Sequence, residues 1–231
     1  MALQHVFLDA GGVLLFPNWK LISEALGRHG VAVSPSALAA ADPIARKQID
    51  DGDTIAMTDD ARRGWLLFNL ILTAARVPLS DATADALQEL HAYHRERNLW
   101  ELVPEGVVPA LTALRGRGLR LTVVSNANGT LCEHMDRIGL TRYVDGVLDS
   151  CDWGVEKPDP RLFQIALERS GAEAATTVHV GDLYQVDVVG ARAAGIRGVL
   201  LDEHGLYGAV DCPKVRSLAE LVGRIGAGEF D

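Results

Sequence analysis

The chain has 231 residues, of which 48% are hydrophobic and 23% charged, with a formal net charge of −9. This is the balance of a globular protein with a sizeable core, and the net negative charge argues against a nucleic-acid surface, which needs clustered Lys and Arg. Cys132, Cys151 and Cys212 have no zinc-type spacing and are expected as reduced structural thiols. No apolar run approaches the roughly 20 residues of a membrane span. The first apolar run carries Asp9 and lacks a basic leader, so a cytoplasmic location is expected.

The first predicted element is a buried strand over Leu3 to Ala10, which delivers Asp9 into a glycine turn at Gly11-Gly12. Residues 17 to 100 read as an all-helical insert. Trp19, Ile22, Ala25 and Leu26 recur at helical spacing, Pro35 suits a helix start, and Trp65, Phe68, Leu72 and Ala75 mark a further helix before Pro78. Ser80-Asp81 opens another helix through Leu87, Leu90 and His94.

Beyond Pro104, helices and strands alternate. Helices are predicted over 109–116, 131–138, 160–170, 186–194 and 217–225, and strands over 119–125, 144–148, 177–180 and 198–201. Gly139, Gly171 and Gly195 stand where a left-handed helix ending calls for glycine. Such alternation implies right-handed crossovers and a parallel sheet with helices on both faces. The domain reading is therefore a discontinuous α/β core, 1–16 with 101–231, and a helical cap, 17–100, over the carboxyl ends of the strands.

Several groups stand at or just past predicted strand ends: Asp9, Ser125-Asn126, Lys157 and Gly181-Asp182 with Asp187. Each has an ordinary reading: a helix N-cap for Ser125-Asn126, a solvated loop for Lys157, a turn for Gly181-Asp182. A parallel sheet brings all of them to one rim, and there their chemistry is complementary. Carboxylates are the hard donors that Mg²⁺ takes, and converging carboxylates need a cation to stay ionised. A serine hydroxyl, following backbone N–H groups and a lysine suit a phosphoryl group.

Asp9-Ala10-Gly11-Gly12-Val13-Leu14, Val124-Ser125-Asn126, Val155-Glu156-Lys157-Pro158-Asp159-Pro160 and Gly181-Asp182 with Asp187 together resemble the four motifs of the haloacid dehalogenase-like hydrolases. The insert is placed like the helical cap of the subgroup containing phosphoglycolate phosphatase and L-2-haloacid dehalogenase. The resemblance implies a Rossmann-like α/β core. It implies that Asp9 is a nucleophile forming an aspartyl-phosphate, and that Ser125, Asn126 and Lys157 hold the phosphoryl group, Lys157 also orienting Asp9. It implies Mg²⁺ held by Asp9, the Gly11 backbone carbonyl and Asp182, with Asp187 ligating directly or acting just behind the metal. The substrate would be a small phosphorylated metabolite, with neither nucleic acid nor membrane as partner, and the protein a monomer or homodimer.

One position departs from the pattern. Phosphatases of the family usually have a second aspartate two residues after the nucleophile, as general acid and base, and here that position is Gly11. Three readings follow in order: a Mg²⁺-dependent phosphohydrolase of altered efficiency, a non-catalytic binding or regulatory module, and a 2-haloacid dehalogenase. Asp50, Asp51 and Asp53 are conceivable substitutes for the missing acid, although a solvated loop is the plainer reading of that stretch. His179 reads as a core histidine and Trp153 as packing.

Overall fold

A computed structural model of the chain describes residues 2–51 and 60–231, with side chains from residue 65 onward after the gap. Asp53 of the acidic stretch lies outside the described residues, while Asp50 and Asp51 end a helix. The chain divides into two compact units, Met1–Phe16 with Val103–Asp231, and Pro17–Leu102.

The first unit is built on a six-stranded sheet of order β3-β2-β1-β4-β5-β6, every pairing parallel. The strands are β1 (His5–Leu8), β2 (Arg120–Ser125), β3 (Gly146–Asp149), β4 (Thr177–Gly181), β5 (Arg197–Leu201) and β6 (Lys214–Val215). This is the parallel α/β sheet predicted from the alternation, and it is Rossmann-like, as the resemblance implies. Every residue of β1 and β4 is buried, because both strands are central and covered on both faces. The order reverses between β1 and β4, and in open α/β sheets the ligand crevice lies beyond the carboxyl ends of the strands at that point. On one face Phe7, Val124, Leu148, Phe163, Ala166 and Ala191 form a packed core.

The second unit contains α1 (Trp19–Arg28), α2 (Pro35–Asp51), α3 (Asp60–Ala74) and α4 (Asp81–Arg97), with no β-strand among the described residues. The predicted stripe of Trp19, Ile22, Ala25 and Leu26 is the buried face of α1. Ser80 and Thr83 form a reciprocal capping box at the start of α4. Leu99 and Trp100 pack with this unit, which sets its end two residues beyond the predicted boundary.

The α/β unit adds α5 (Val107–Gly116), α6 (Leu131–Arg137), α7 (Pro160–Ser170), α8 (Gly190–Ala193) and α9 (Leu218–Gly226). Asp159 caps α7 with Pro160 in its first turn, and Gly171 ends it at φ 66°. Two elements differ from expectation. The predicted helix over 186–194 is a π-helical turn, Tyr184–Val189, leading into the short α8. The edge strand β6 has only two residues, too short for any hydrophobic period to reveal. Cys132 and Cys151 are exposed and Cys212 is half-buried, and all three are free thiols. Trp153 is 41% exposed beneath the Arg169 guanidinium, so it too is a surface residue.

Candidate active site

Asp9 stands one residue beyond β1, where its N–H still donates to Val180 O at 2.9 Å. The chain then turns tightly. The N–H groups of Leu14 and Leu15 return to Ala10 O, and Gly12 takes φ 80°, a value that favours glycine. Gly11 is outside that left-handed region, so its lack of a side chain is not imposed by the backbone.

Lys157 enters from the loop between β3 and α7, before a cis Lys157–Pro158 peptide. Its side chain is 1% exposed, and its ammonium donates to Asp9 Oδ1 at 2.8 Å and to Asp187 Oδ1 at 2.7 Å. Burial works to lower its pKa, but the Asp187 and Asp9 carboxylates outweigh it and raise the value above the usual lysine range. Lys157 is therefore a fixed cation and not a proton source.

Asp187 projects from the π-helical turn and is fully buried. Oδ1 accepts from Lys157 and faces His179 Nε2 at 3.0 Å, while Oδ2 accepts from Leu183 N–H at 3.1 Å. Burial opposes its ionisation. The Lys157 charge and the His179 contact overcome that and hold the carboxyl below the usual carboxylate range. The carboxyl packs directly on Gly181, where a Cβ would lie 2.0 Å from Asp187 Cγ. The glycine preceding Asp182 is thus a close-approach requirement.

His179 was predicted as a core histidine, and it is one, fully buried and edge-on to Phe163 at 4.8 Å. Its pKa is lowered, chiefly by burial. The neutral ring therefore carries its proton on Nε2, facing Asp187, and leaves Nδ1 without a hydrogen-bond partner. Sequence reasoning missed this link to the site. The signal was a histidine between two valines of a buried strand, two residues before Asp182's glycine.

Ser125, 4% exposed, ends β2. Neither Ser125 nor Asn126 caps a helix, since α6 begins after Thr130. The Asn126 side chain pairs instead with the Lys157 main chain: Oδ1 accepts from Lys157 N–H at 2.7 Å and Nδ2 donates to Lys157 O at 3.0 Å. Asp182, just beyond β4, is half-buried, and its backbone carbonyl accepts from the Tyr207 hydroxyl at 3.3 Å.

Asp9, Asp182 and Asp187 each offer an oxygen, all within 4.8 Å of one another. Three formal negative charges meet there beside the single Lys157 ammonium, and the donors are all hard oxygens. A divalent hard cation fits this set.

A family model described as haloacid dehalogenase-like hydrolase matches residues 3–195. The chain belongs to the haloacid dehalogenase-like hydrolases. Among its curated relatives, haloacid dehalogenase-like hydrolase domain-containing protein 3 of Bos taurus is 37% identical over 138 residues, 59% of this chain and 55% of the relative. Phosphoserine phosphatase of Thermus thermophilus is 41% identical over 112 residues, 48% of this chain and 45% of that protein. The chain thus spans about half the length of these relatives. Among solved structures, the HAD-hydrolase YfnB of Bacillus subtilis, bound to magnesium, superposes with a TM-score of 0.70 at 16% identity, covering 97% of this chain and 99% of that one. At that identity the likeness is one of fold. No helix among the described residues is long and apolar enough to cross a membrane.

Proposed function

We propose that the chain is a Mg²⁺-dependent phosphohydrolase that acts on a small phosphorylated metabolite through an aspartyl-phosphate on Asp9. The observation that carries the reading is the contact of Lys157 Nζ with both Asp9 and Asp187, beside the oxygen cluster that Asp182 completes. The phosphatase named among the relatives supports the same class of reaction.

In this reading Asp9 attacks phosphorus with a carboxylate oxygen, and the bond to the leaving oxygen breaks in line, that oxygen departing as an anion that takes any proton from water. Lys157 holds the Asp9 oxygen in place and offsets charge on the equatorial phosphoryl oxygens. The Ser125 hydroxyl and the Asn126 main-chain N–H hold the same oxygens. Water then hydrolyses the acyl phosphate and frees Asp9. Asp9, Asp182 and the Gly11 carbonyl would hold Mg²⁺. Asp187, whose oxygens already serve Lys157, His179 and Leu183, would stand behind it. The ion would supply positive charge to the phosphoryl oxygens.

Gly11 provides no proton to the leaving group. A positioned acid or base is worth about 10²–10⁴ in rate, so leaving groups that need little protonation, such as acyl and aryl phosphates, are the best substrates of this design. Gly11 is also the observation behind a second reading, a binding or regulatory module without turnover. The test is hydrolysis of p-nitrophenyl phosphate and acetyl phosphate with Mg²⁺ or with EDTA. Turnover that requires Mg²⁺ and disappears in Asp9→Asn supports the enzyme. No Mg²⁺-dependent turnover on either substrate overturns it in favour of the module.

A further inference from the structure

Lys157 is anchored at its ammonium by Asp9 and Asp187, but a lysine stem is flexible, and the ammonium is aimed only if the main chain is fixed as well. That main chain runs through a loop, where no sheet partner is available to it. The Asn126 side chain occupies the place of one: its amide meets the N–H and the C=O of Lys157 like a rung of a sheet, across 31 residues of sequence.

Other groups hold the remainder of the Asn126 loop. Ala127 N–H donates to Ser150 Oγ at 3.1 Å, and Asp149 Oδ2 accepts from Gly129 and Leu131 N–H at 2.8 and 3.2 Å. The loop is therefore tied to the end of β3 without Asn126. What Asn126 adds is the connection between the β2 rim and the lysine.

We propose that Asn126 is a positioning residue, whose side-chain amide clamps the Lys157 main chain and so sets the ammonium between Asp9 and Asp187. The side chain's contribution to phosphoryl transfer is then indirect, through Lys157. The kinetic consequence rests on the phosphohydrolase reading, but the clamp itself does not. One N–H of the amide remains outside the clamp, so the competing role is direct binding of a phosphoryl oxygen by that side chain.

The test compares wild type with Asn126→Ala and Asn126→Asp. Lysine acetylation by acetic anhydride, read by mass spectrometry on the Lys157 peptide, reports access to the buried amine without any substrate. The clamp predicts slow labelling in wild type and labelling about tenfold faster in Asn126→Ala, the scale of a lost hydrogen bond or two. Asn126→Asp keeps the acceptor for Lys157 N–H, loses the donor, and falls between. Amide exchange at Lys157 in wild type is expected to be slow, which checks the clamp even if a variant folds poorly. Lys157 equally protected in folded Asn126→Ala, or a fast-exchanging Lys157 amide in wild type, overturns the proposal. Where turnover is present, kcat falls in Asn126→Ala with KM little changed, whereas direct binding by the side chain would raise KM and leave labelling unaltered. Absence of turnover in wild type would sink the phosphohydrolase reading and leave the labelling result to decide the clamp alone.

Discussion

Replacing Lys157 with methionine removes the one ammonium between two carboxylates and keeps nearly the same volume. Lys157 is 1% exposed and Asp187 fully buried, so this is a buried network and not a surface pair. Removing one partner from such a network leaves an uncompensated buried charge, at a cost of about 3–5 kcal/mol. For a chain of this size each kcal/mol moves the midpoint by about 2–4 °C, so Lys157→Met should lower it by roughly 6–20 °C. The raised lysine value means that its stabilisation is complete below the unfolded value of 10.5 and lost as pH rises through the higher folded value. The lowered Asp187 value means that its stabilisation is present above 3.8 and lost as pH falls through the lower folded value. Neutral pH lies inside both windows, and the full deficit belongs there. Urea denaturation in EDTA, with amide exchange of β1 and β4 to isolate opening of the α/β unit, measures it. If Mg²⁺ binds the carboxylates, it should restore part of the loss, about 2.7 kcal/mol at a hundred times its Kd. A deficit under about 1 kcal/mol in EDTA, the worth of an exposed pair, would refute the reasoning.

Gly11→Asp is open to the backbone, since φ at Gly11 is not left-handed. It should raise turnover on alkyl phosphates toward the full 10²–10⁴ of a positioned acid, ~10-fold or less on p-nitrophenyl phosphate, and equal or reduced rates on both would show that another group serves as acid. Gly181→Ala places a Cβ 2.0 Å from Asp187 Cγ, so it should cost about 1–3 kcal/mol in urea titrations and abolish turnover; full activity would show that Asp187 can move without consequence. His179 has a lowered value, chiefly from burial, so the unfolded state takes up the proton first and stability falls as pH drops below 6.5. His5, lowered by burial and then by Arg120, contributes with the same sign. The slope should therefore shrink but not vanish in His179→Gln, and an unchanged slope would assign the whole effect elsewhere.

The alternation of helices and strands was legible because each helix has its own stop signal and each strand its apolar run. Gly171 ends α7 in the left-handed region, and Ser217 caps α9 by accepting from Glu220 N–H. The sheet order was not legible residue by residue. β1 and β4 are buried on both faces and carry no inside–outside alternation that would name a neighbour, so only the parallel-crossover rule pointed to a common rim. The turn over Tyr184–Val189 escaped notice for a similar reason. A π-helical turn and an α-helix draw on the same apolar residues and differ in the step of their backbone hydrogen bonds, which no side-chain pattern here marks.

Within the site, legibility followed reach. Asp9, Lys157 and Asp187 were visible because each stands at or near a strand end, and the structure brings them into direct contact. The contacts of the residues that hold them were not legible. Asn126 was read through its position after a strand, as a phosphate ligand or a helix cap, yet its amide reaches 31 residues forward in the chain to Lys157. His179 was read through the apolarity of its neighbours, yet the same burial favours the neutral ring, and the Asp187 carboxylate opposite Nε2 can only accept from it. Such residues act through a partner distant in sequence, and no local spacing encodes that partner. Gly11 is the opposite case. Its chemistry is wholly local, a missing side chain at a position where the backbone would accept one. The positive side of the site is built to hold charge at Lys157, which is too firmly protonated to replace the missing acid. Under the proposed phosphohydrolase reading, the glycine and the lysine together would favour substrates whose leaving group departs as a stable anion.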